Sequence, residues 1–313
     1  MGKITKYYKT RGEWLADRGL GIGASEAGTV LGVNPWETPY QLWRRKRGLD
    51  GPKEENAAMR AGHYLEDAVA RFYAGETGAE IVKRTAADFS IVCAERPHLR
   101  VSPDRLFWPP GARHGERQKA VLECKTTRMS VDAESVPMHW YCQLQMNMGV
   151  GEYDSGALAW LTRGSDFGYR NYDLDPDFFG WMTGELDRFW TDCVVGGKEP
   201  DSVTAADVEL KGRVSPGVSV EATDEVFEAA ERLAEAKRKA EEAAKEADAL
   251  ADTLKVYMGD ADTLAYRGRT LCTWKAGKES RRFDAKRFEA ENPETAARYM
   301  KTAPGARRFL LKV

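Results

Sequence analysis

The chain changes character near residue 221, and that change limits its architecture more than any other feature. From Thr223 to Met258 it is dominated by Ala, Glu and Lys. Within that block Val226, Ala230, Leu233, Ala240, Ala244, Ala247, Ala251, Leu254 and Met258 recur on a seven-residue repeat interrupted by Lys237. This pattern predicts one long helix, ended by Gly259. An alanine seam offers little apolar area per turn, so the helix is expected to rest on another helix or on its own domain rather than form a self-sufficient coiled coil. The preceding stretch, residues 196–220 (GGKEPDSVTAADVELKGRVSPGVSV), is rich in Gly, Pro and Ser and weakly periodic. The expected organisation is therefore a domain over 1–200, a linker over 201–221 and a helical extension over 222–313. The extension would hold a hairpin from Thr263 to Trp274, turning at Gly268, and a short basic tail.

The first fifty residues read as short helices. One is punctuated by Thr38 as N-cap, Pro39 at the first helical position and Gly48 as stop. A longer helix starts from Asn56, with Met59, Leu65, Val69 and Phe72 on one face, Glu66 beside that stripe, and Gly75 and Gly78 at the exit. Residues 80–84, 88–93, 99–108 and 119–125 then read as short strands. A helix from Pro137 to about Met148, strands around 154–162 and 167–173, and a helix from Pro176 carrying Phe179, Trp181, Leu186, Phe189 and Trp190 complete the domain. This order predicts an α/β sandwich with antiparallel strands rather than a repeated βαβ array.

Several classes of protein are excluded. No apolar run approaches the roughly 18 residues a membrane helix needs, and no apolar leader follows the basic start, so a cytoplasmic protein is expected. Cys93, Cys124, Cys142, Cys193 and Cys272 are odd in number and lack a C-x-x-C pair, which argues for reduced, mostly buried thiols. The four histidines, His63, His98, His114 and His139, form no metal-binding spacing, so any metal would be held mainly by carboxylates, which points to magnesium or manganese. The formal net charge is only -2, yet Lys3, Lys6, Lys9, Arg11, Arg18 and Arg44 through Arg47 make the N-terminal region locally basic.

The stretch that carries chemistry is Ser102-Pro103-Asp104, followed on the next strand by Leu122-Glu123-Cys124-Lys125. Alternation places Glu123 and Lys125 on one face of a strand and Cys124 on the other. If Asp104 ends a neighbouring strand, two carboxylates and an ammonium converge. Such a set suits metal-assisted phosphodiester hydrolysis. Taken alone, an E-x-K triplet is far more often a surface salt bridge between strands.

In its wider setting the triplet resembles that of the YqaJ-type viral recombinase family, relatives of phage lambda exonuclease within the PD-(D/E)XK nuclease superfamily. The resemblance is collinear from about Trp14 to Pro200. It takes in Arg18, Gly21-Ile22-Gly23-Ala24-Ser25-Glu26, Leu31-Gly32, Thr38-Pro39, Leu42-Trp43 and Gly62-His63-Tyr64-Leu65-Glu66. It continues through Ser102-Pro103-Asp104, Leu122 to Thr127, Gln143-Leu144-Gln145-Met146 and Phe189-Trp190. After residue 200 it is weaker, although Arg307-Arg308-Phe309 looks like a motif of some longer phage members.

The resemblance implies a restriction-endonuclease-like core, a small mixed sheet flanked by helices, with the long helix as an extension. It implies Mg2+, or Mn2+, held by Asp104, Glu123 and the Cys124 backbone carbonyl. Lys125 would be the catalytic lysine, Glu66 a further acidic ligand or water-positioner, and Gln143 a residue near the scissile phosphate. Arg18, Ser25, Ser102 and Gln143 match a pocket for a terminal 5′-phosphate; for Ser25 a helix N-cap is an equal reading. The family's tyrosine three positions before the glutamine is here Trp140, with Tyr141 one place later. The implied activity is a 5′-to-3′ exonuclease on duplex DNA ends that leaves a 3′ overhang for recombination, with a single-strand annealing protein as partner and a ring-shaped trimer as assembly. The alternatives are a structure- or sequence-specific endonuclease on the same fold and a non-hydrolytic DNA-end-binding protein.

Overall fold

The computed structural model describes residues 2–51, 56–83, 89–111, 119–212, 217–277, 283–300 and 309–312. The chain divides into two compact units, Met1–Val214 and Ser215–Val313. In the first unit the elements run β1 (Lys3–Tyr7), α1 (Arg11–Gly19), β2 (Ile22–Gly23), α2 (Ala24–Val30), α3 (Pro39–Lys46), α4 (Ala57–Thr77) and β3 (Glu80–Ile81). They continue with β4 (Phe89–Cys93), β5 (Leu99–Val101), β6 (Arg105–Trp108), β7 (Ala120–Thr127), α5 (Met138–Gly151), β8 (Ser155–Thr162), β9 (Asp166–Asp173), α6 (Pro176–Arg188) and α7 (Ala205–Lys211). A π-helical stretch, Phe189–Val195, prolongs α6.

Two sheets form. One has the order β1-β4-β5-β2, the other β3-β6-β7-β8-β9. The second is mixed, because β7 and β8 run parallel across the α5 crossover while the other neighbours are antiparallel. The expectation of antiparallel strands is thus corrected at the centre of this sheet, where a helical connection supplies the length that a parallel pair requires. The single strand expected over 99–108 is also corrected. It breaks at Ser102-Pro103-Asp104, so β5 belongs to one sheet and β6 to the other. Proline lacks a ladder donor, and the chain changes sheets at that point. A third correction concerns the N-terminus, where Lys3–Tyr7 pairs with β4 as an edge strand instead of forming a helix.

The five-stranded sheet is covered on both faces. Leu122 and Cys124 of β7 pack with Val69, Ala70 and Tyr73 of α4. Val121 packs on the other face with Trp140, Leu144 and Met148 of α5. Cys142, Met146 and Val150 of α5 meanwhile pack with Ile91, Leu99 and Val101 of the other sheet. Helix α5 is therefore buried on nearly every side, which explains its weak amphipathic signal. The predicted α4 stripe is partly displaced, since Met59 and Phe72 are exposed and Tyr73 is buried instead.

The approach of α2 to α5 depends on Gly28. A Cβ there would lie 2.7 Å from His139 Cβ and 2.9 Å from His139 Cα. Gly28→Ala is expected to cost about 1–3 kcal/mol, because one contact is backbone and cannot rotate away. An unshifted urea midpoint would show that the helices do not meet so closely.

Part of the segment expected as a linker is folded. The Asp207 carboxylate, at the start of α7, accepts hydrogen bonds from Thr38 Oγ1 at 2.8 Å and from the backbone of Val203 and Thr204. These contacts hold α7 against the N-cap of α3.

In the second unit, α8 (Asp224–Met258) starts at Thr223, whose side chain accepts from Val226 N, and stops at Gly259, which has φ 53°. Met258 is its buried residue; Val226, Leu250 and Leu254 are exposed. The expected burial of the alanine seam is not found among the described residues. Pairs such as Lys245–Glu241 and the high helix propensity of Ala support the helix instead. A hairpin of β10 (Thr263–Tyr266) and β11 (Arg269–Thr273) turns at Arg267-Gly268, both at positive φ as a tight two-residue hairpin loop requires. Where a basic tail was expected, α9 (Ala285–Glu291) and α10 (Pro293–Tyr299) form. Arg307 and Arg308 of the C-terminal motif lie outside the described residues. No helix among the described residues is long and apolar enough to cross a membrane.

Candidate active site

Antiparallel pairing of β6 with β7 puts Arg105 opposite Leu122, so Asp104, one residue before β6, comes level with Glu123. The Cys124 N–H donates to Asp104 Oδ2 at 2.9 Å, fixing that carboxylate across the strands. Glu123 and Lys125 point toward α5, and Cys124 points into the α4 core. The predicted alternation along β7 holds at each of these three residues.

Helix α5 completes the set. Lys125 Nζ donates to Glu123 Oε2 at 3.0 Å and to Gln143 Oε1 at 2.9 Å, and Gln143 Nε2 donates to Glu123 Oε2 at 2.5 Å. One turn further on, Asn147 Nδ2 donates to Glu123 Oε1 at 2.6 Å. The sequence reading missed Asn147; its signal was the i+4 spacing from Gln143, which places both amides on one helix face. Gln145 points elsewhere and clamps the β9–α6 turn through Asp173 O and Asp175 N.

Glu123 is fully buried. Burial pushes its carboxyl up, the adjacent Asp104 charge pushes it further, and Lys125 only partly offsets both. Burial would lower the Lys125 ammonium, but the Glu123 and Asp104 charges outweigh this and raise it, so Lys125 stays cationic. A buried carboxyl beside a second, half-buried carboxylate is an environment that a hard divalent cation relieves. Asp104, Glu123 and the Cys124 carbonyl are oxygen donors of the right kind, and Glu123 Oε1, with one donor bound, retains a lone pair. No group of three or more His, Cys, Asp or Glu side chains among the described residues is assembled as a metal site. A metal here would be held by two carboxylates and main chain. Glu66 approaches from α4, and its carboxylate lies 3.7 Å from Arg105.

Above these residues opens a cleft of about 630 Å³, lined by Glu66, Asp104, Lys125 and Gln143 together with Arg11, Trp14, Arg18, Ser25, Arg100 and Ser102. All four residues proposed for a phosphate pocket face this one space. Arg18 donates to Ser25 Oγ at 2.9 Å and lies over the Trp14 ring. Ser102 donates to Phe89 O at 2.7 Å and accepts from Trp14 Nε1 at 3.4 Å. The N-cap reading of Ser25 is corrected: Gly23 is the cap, and Ser25 is the second residue inside α2. Arg11, stacked over Trp14 at 3.9 Å, and the buried Arg100, bonded to Asp17, also line the cleft and were missed. In the sequence Arg11 is one of several bases of the N-terminal region, and Arg100 lies within a stretch read only as a strand.

Glu26 anchors this wall. Burial would raise its carboxyl, but Lys46, Arg18 and Arg45 prevail and hold it down to about 2. Its Oε2 accepts from the Gly23 N–H, and Lys46 also donates to the carbonyls of Arg18 and Gly21, tying α1, α2 and α3 together. Trp140 is buried against Trp160, and Tyr141 packs with Tyr172 and Phe178. Neither is among the residues lining the cleft.

An Asp at the mouth of one strand stands level with the Glu of an E-x-K on the next and is backed by a helix, the convergence that the sequence resemblance leads one to expect. Residues 13–154 match the YqaJ-like viral recombinase domain. The chain is 28% identical over 315 residues to the uncharacterized protein YqaJ of Bacillus subtilis (strain 168), spanning 97% of this chain and 94% of the relative. Among solved structures it is similar to the alkaline exonuclease LHK-Exo of Laribacter hongkongensis, with a TM-score of 0.45 and 18% identity over 64% of this chain and 96% of that one. LHK-Exo in complex with dAMP gives a TM-score of 0.46 and 16% identity over 58% and 91%. A phage-related exonuclease from Haemophilus somnus 129PT gives 0.38 and 11% over 57% and 97%.

Proposed function

We propose that the protein is a divalent-metal-dependent exonuclease that degrades the 5′-ended strand of duplex DNA from its ends and leaves a 3′ overhang for recombination by strand annealing. The observation that carries this reading is the union, in one cleft, of the Asp104–Glu123–Lys125–Gln143 set with a wall of guanidinium and hydroxyl groups. A general phosphodiester cutter needs the first. A wall carrying Arg18, Ser25 and Ser102 suits a terminal phosphate dianion, which accepts several charge-assisted bonds at once.

Asp104 and Glu123, with the Cys124 carbonyl, would hold Mg2+ or Mn2+. What such an ion supplies when bound is polarisation of a phosphoryl oxygen and acidification of a water. Lys125, kept protonated by its carboxylate neighbours, offsets the charge that develops on the phosphate. Gln143 aligns Lys125 and Glu123 and can turn an amide toward the scissile phosphate. Glu66 borders the same space from α4, placed to position a water. By family resemblance the proposal extends to a ring-shaped trimer around DNA and to a single-strand annealing protein as partner. A ring would reconcile a net charge of -2 with DNA binding, since only its lining must be basic.

The test compares linear duplexes with and without a 5′-phosphate, followed for strand-specific mononucleotide release in magnesium. The phosphorylated end should be preferred. Arg18→Ala should erase most of that preference, because one lost charge-assisted bond costs about 1.5–3 kcal/mol, or roughly ten- to a hundredfold. Equal rates on both ends for the wild type, or an equal loss on both for the variant, would remove the end pocket from the reading.

A further inference from the structure

A second groove lies behind the first. It has a volume of about 260 Å³, and Phe89 lines both it and the catalytic cleft. Pro103 and Arg105, the two neighbours of Asp104, also line it, so the crossing between the two sheets is the wall the grooves share. Its described lining residues include three cations, Lys83, Arg105 and Lys119, and no carboxylate. Arg105 is already directed at Glu66 and Asp67, each 3.7 Å away. Lys83 is exposed, and Lys119 stands 5.3 Å from the centre of the Trp108 ring.

The cleft differs in this respect, because carboxylates, Glu66 and Asp104, stand among its own lining residues. The second groove instead interleaves ammonium groups with aromatic rings, Tyr7 at 65% exposure, Phe89 and Tyr153. Lysines take phosphates without regard to sequence, and rings offer a stacking platform to any base. Bases stacked and paired within a duplex cannot present their faces to these rings, which favours one strand as the ligand.

We propose that this groove binds single-stranded DNA, holding a strand beyond the catalytic cleft. The choice of DNA rests on the nuclease reading above; the site itself rests on the groove's charge, its aromatic lining and the wall it shares with the cleft.

The experiment measures binding without cleavage. The full-length chain is titrated onto a short labelled oligo(dT) in EDTA over a salt series, using wild type and a Lys83→Ala/Lys119→Ala variant whose fold is checked by circular dichroism. The variant should bind roughly tenfold more weakly at low salt, and its salt slope should be shallower by about 1.4, as expected for two lost single-strand phosphate contacts. Its affinity for a blunt hairpin duplex should be unchanged. In the wild type, an oligonucleotide carrying 5-iododeoxyuridine should photo-crosslink to Tyr7 or Tyr153, neither of which lines the cleft. Unchanged affinity and slope, or crosslinks confined to cleft residues such as Trp14, would overturn the proposal. If the variant misfolds, the wild-type crosslink decides alone. Absence of cleavage in magnesium would sink the nuclease reading and leave this result standing, whereas intact cleavage with an unaffected variant would sink only the groove.

Discussion

Glu123→Gln and Lys125→Ala should each lower hydrolysis of a duplex end at least about a hundredfold while end binding persists. Glu123 receives three donors, from Lys125, Gln143 and Asn147. An amide in its place offers one acceptor and turns an N–H₂ toward groups that are themselves donors, so both the charge and the hydrogen-bond pattern are lost. Removal of the Lys125 ammonium leaves Asp104 and Glu123 repelling each other in a buried site. Arg11, Arg18 and Arg100 are untouched by either change, so the wall that would hold the DNA end remains. Single-turnover hydrolysis gives the first quantity, and hairpin binding in EDTA gives the second. Near-normal turnover in either variant would show that this constellation is not the reacting centre.

Chelation should bring hydrolysis to background, and added magnesium or manganese should restore it, because the available donors are hard oxygens. A second readout does not involve activity. Asp104 and Glu123 face one another beside Lys125, so a divalent cation that binds the folded protein should raise its melting temperature. Glu123→Gln should reduce that rise. Full activity after exhaustive EDTA treatment, or a melting temperature indifferent to either metal, would rule out a metal site at these carboxylates.

Several parts of this molecule were legible because their cause is local. The capped helix α3, the long α8 and the hairpin after it follow from Thr38, Pro39, Gly259 and Gly268, residues whose backbone preferences act within a few positions. The shared face of Glu123 and Lys125 follows from the two-residue period of a strand. The motif order from Arg18 to Gln143 drew attention to residues that the fold brings to one cleft, although they span more than a hundred positions.

What stayed hidden depends on contacts between distant segments. Lys3–Tyr7 has no strand signature strong enough to stand alone and becomes a strand because β4 supplies a partner. Residues 99–108 read as one extended run, and only the presence of two sheets decides that Pro103 is a crossing point. Gln143 and Asn147 look like ordinary polar helix residues until α5 is buried between the sheets, where an amide must find a partner and Glu123 accepts both. Arg11 and Arg100 are likewise just two bases among many until α1 and β5 line the same space. Residue order and period by themselves determined the elements and the Glu123–Lys125 face. The tertiary structure alone decided which buried polar groups share a carboxylate and which cations face the cleft, because desolvation and charge act through space and not along the chain.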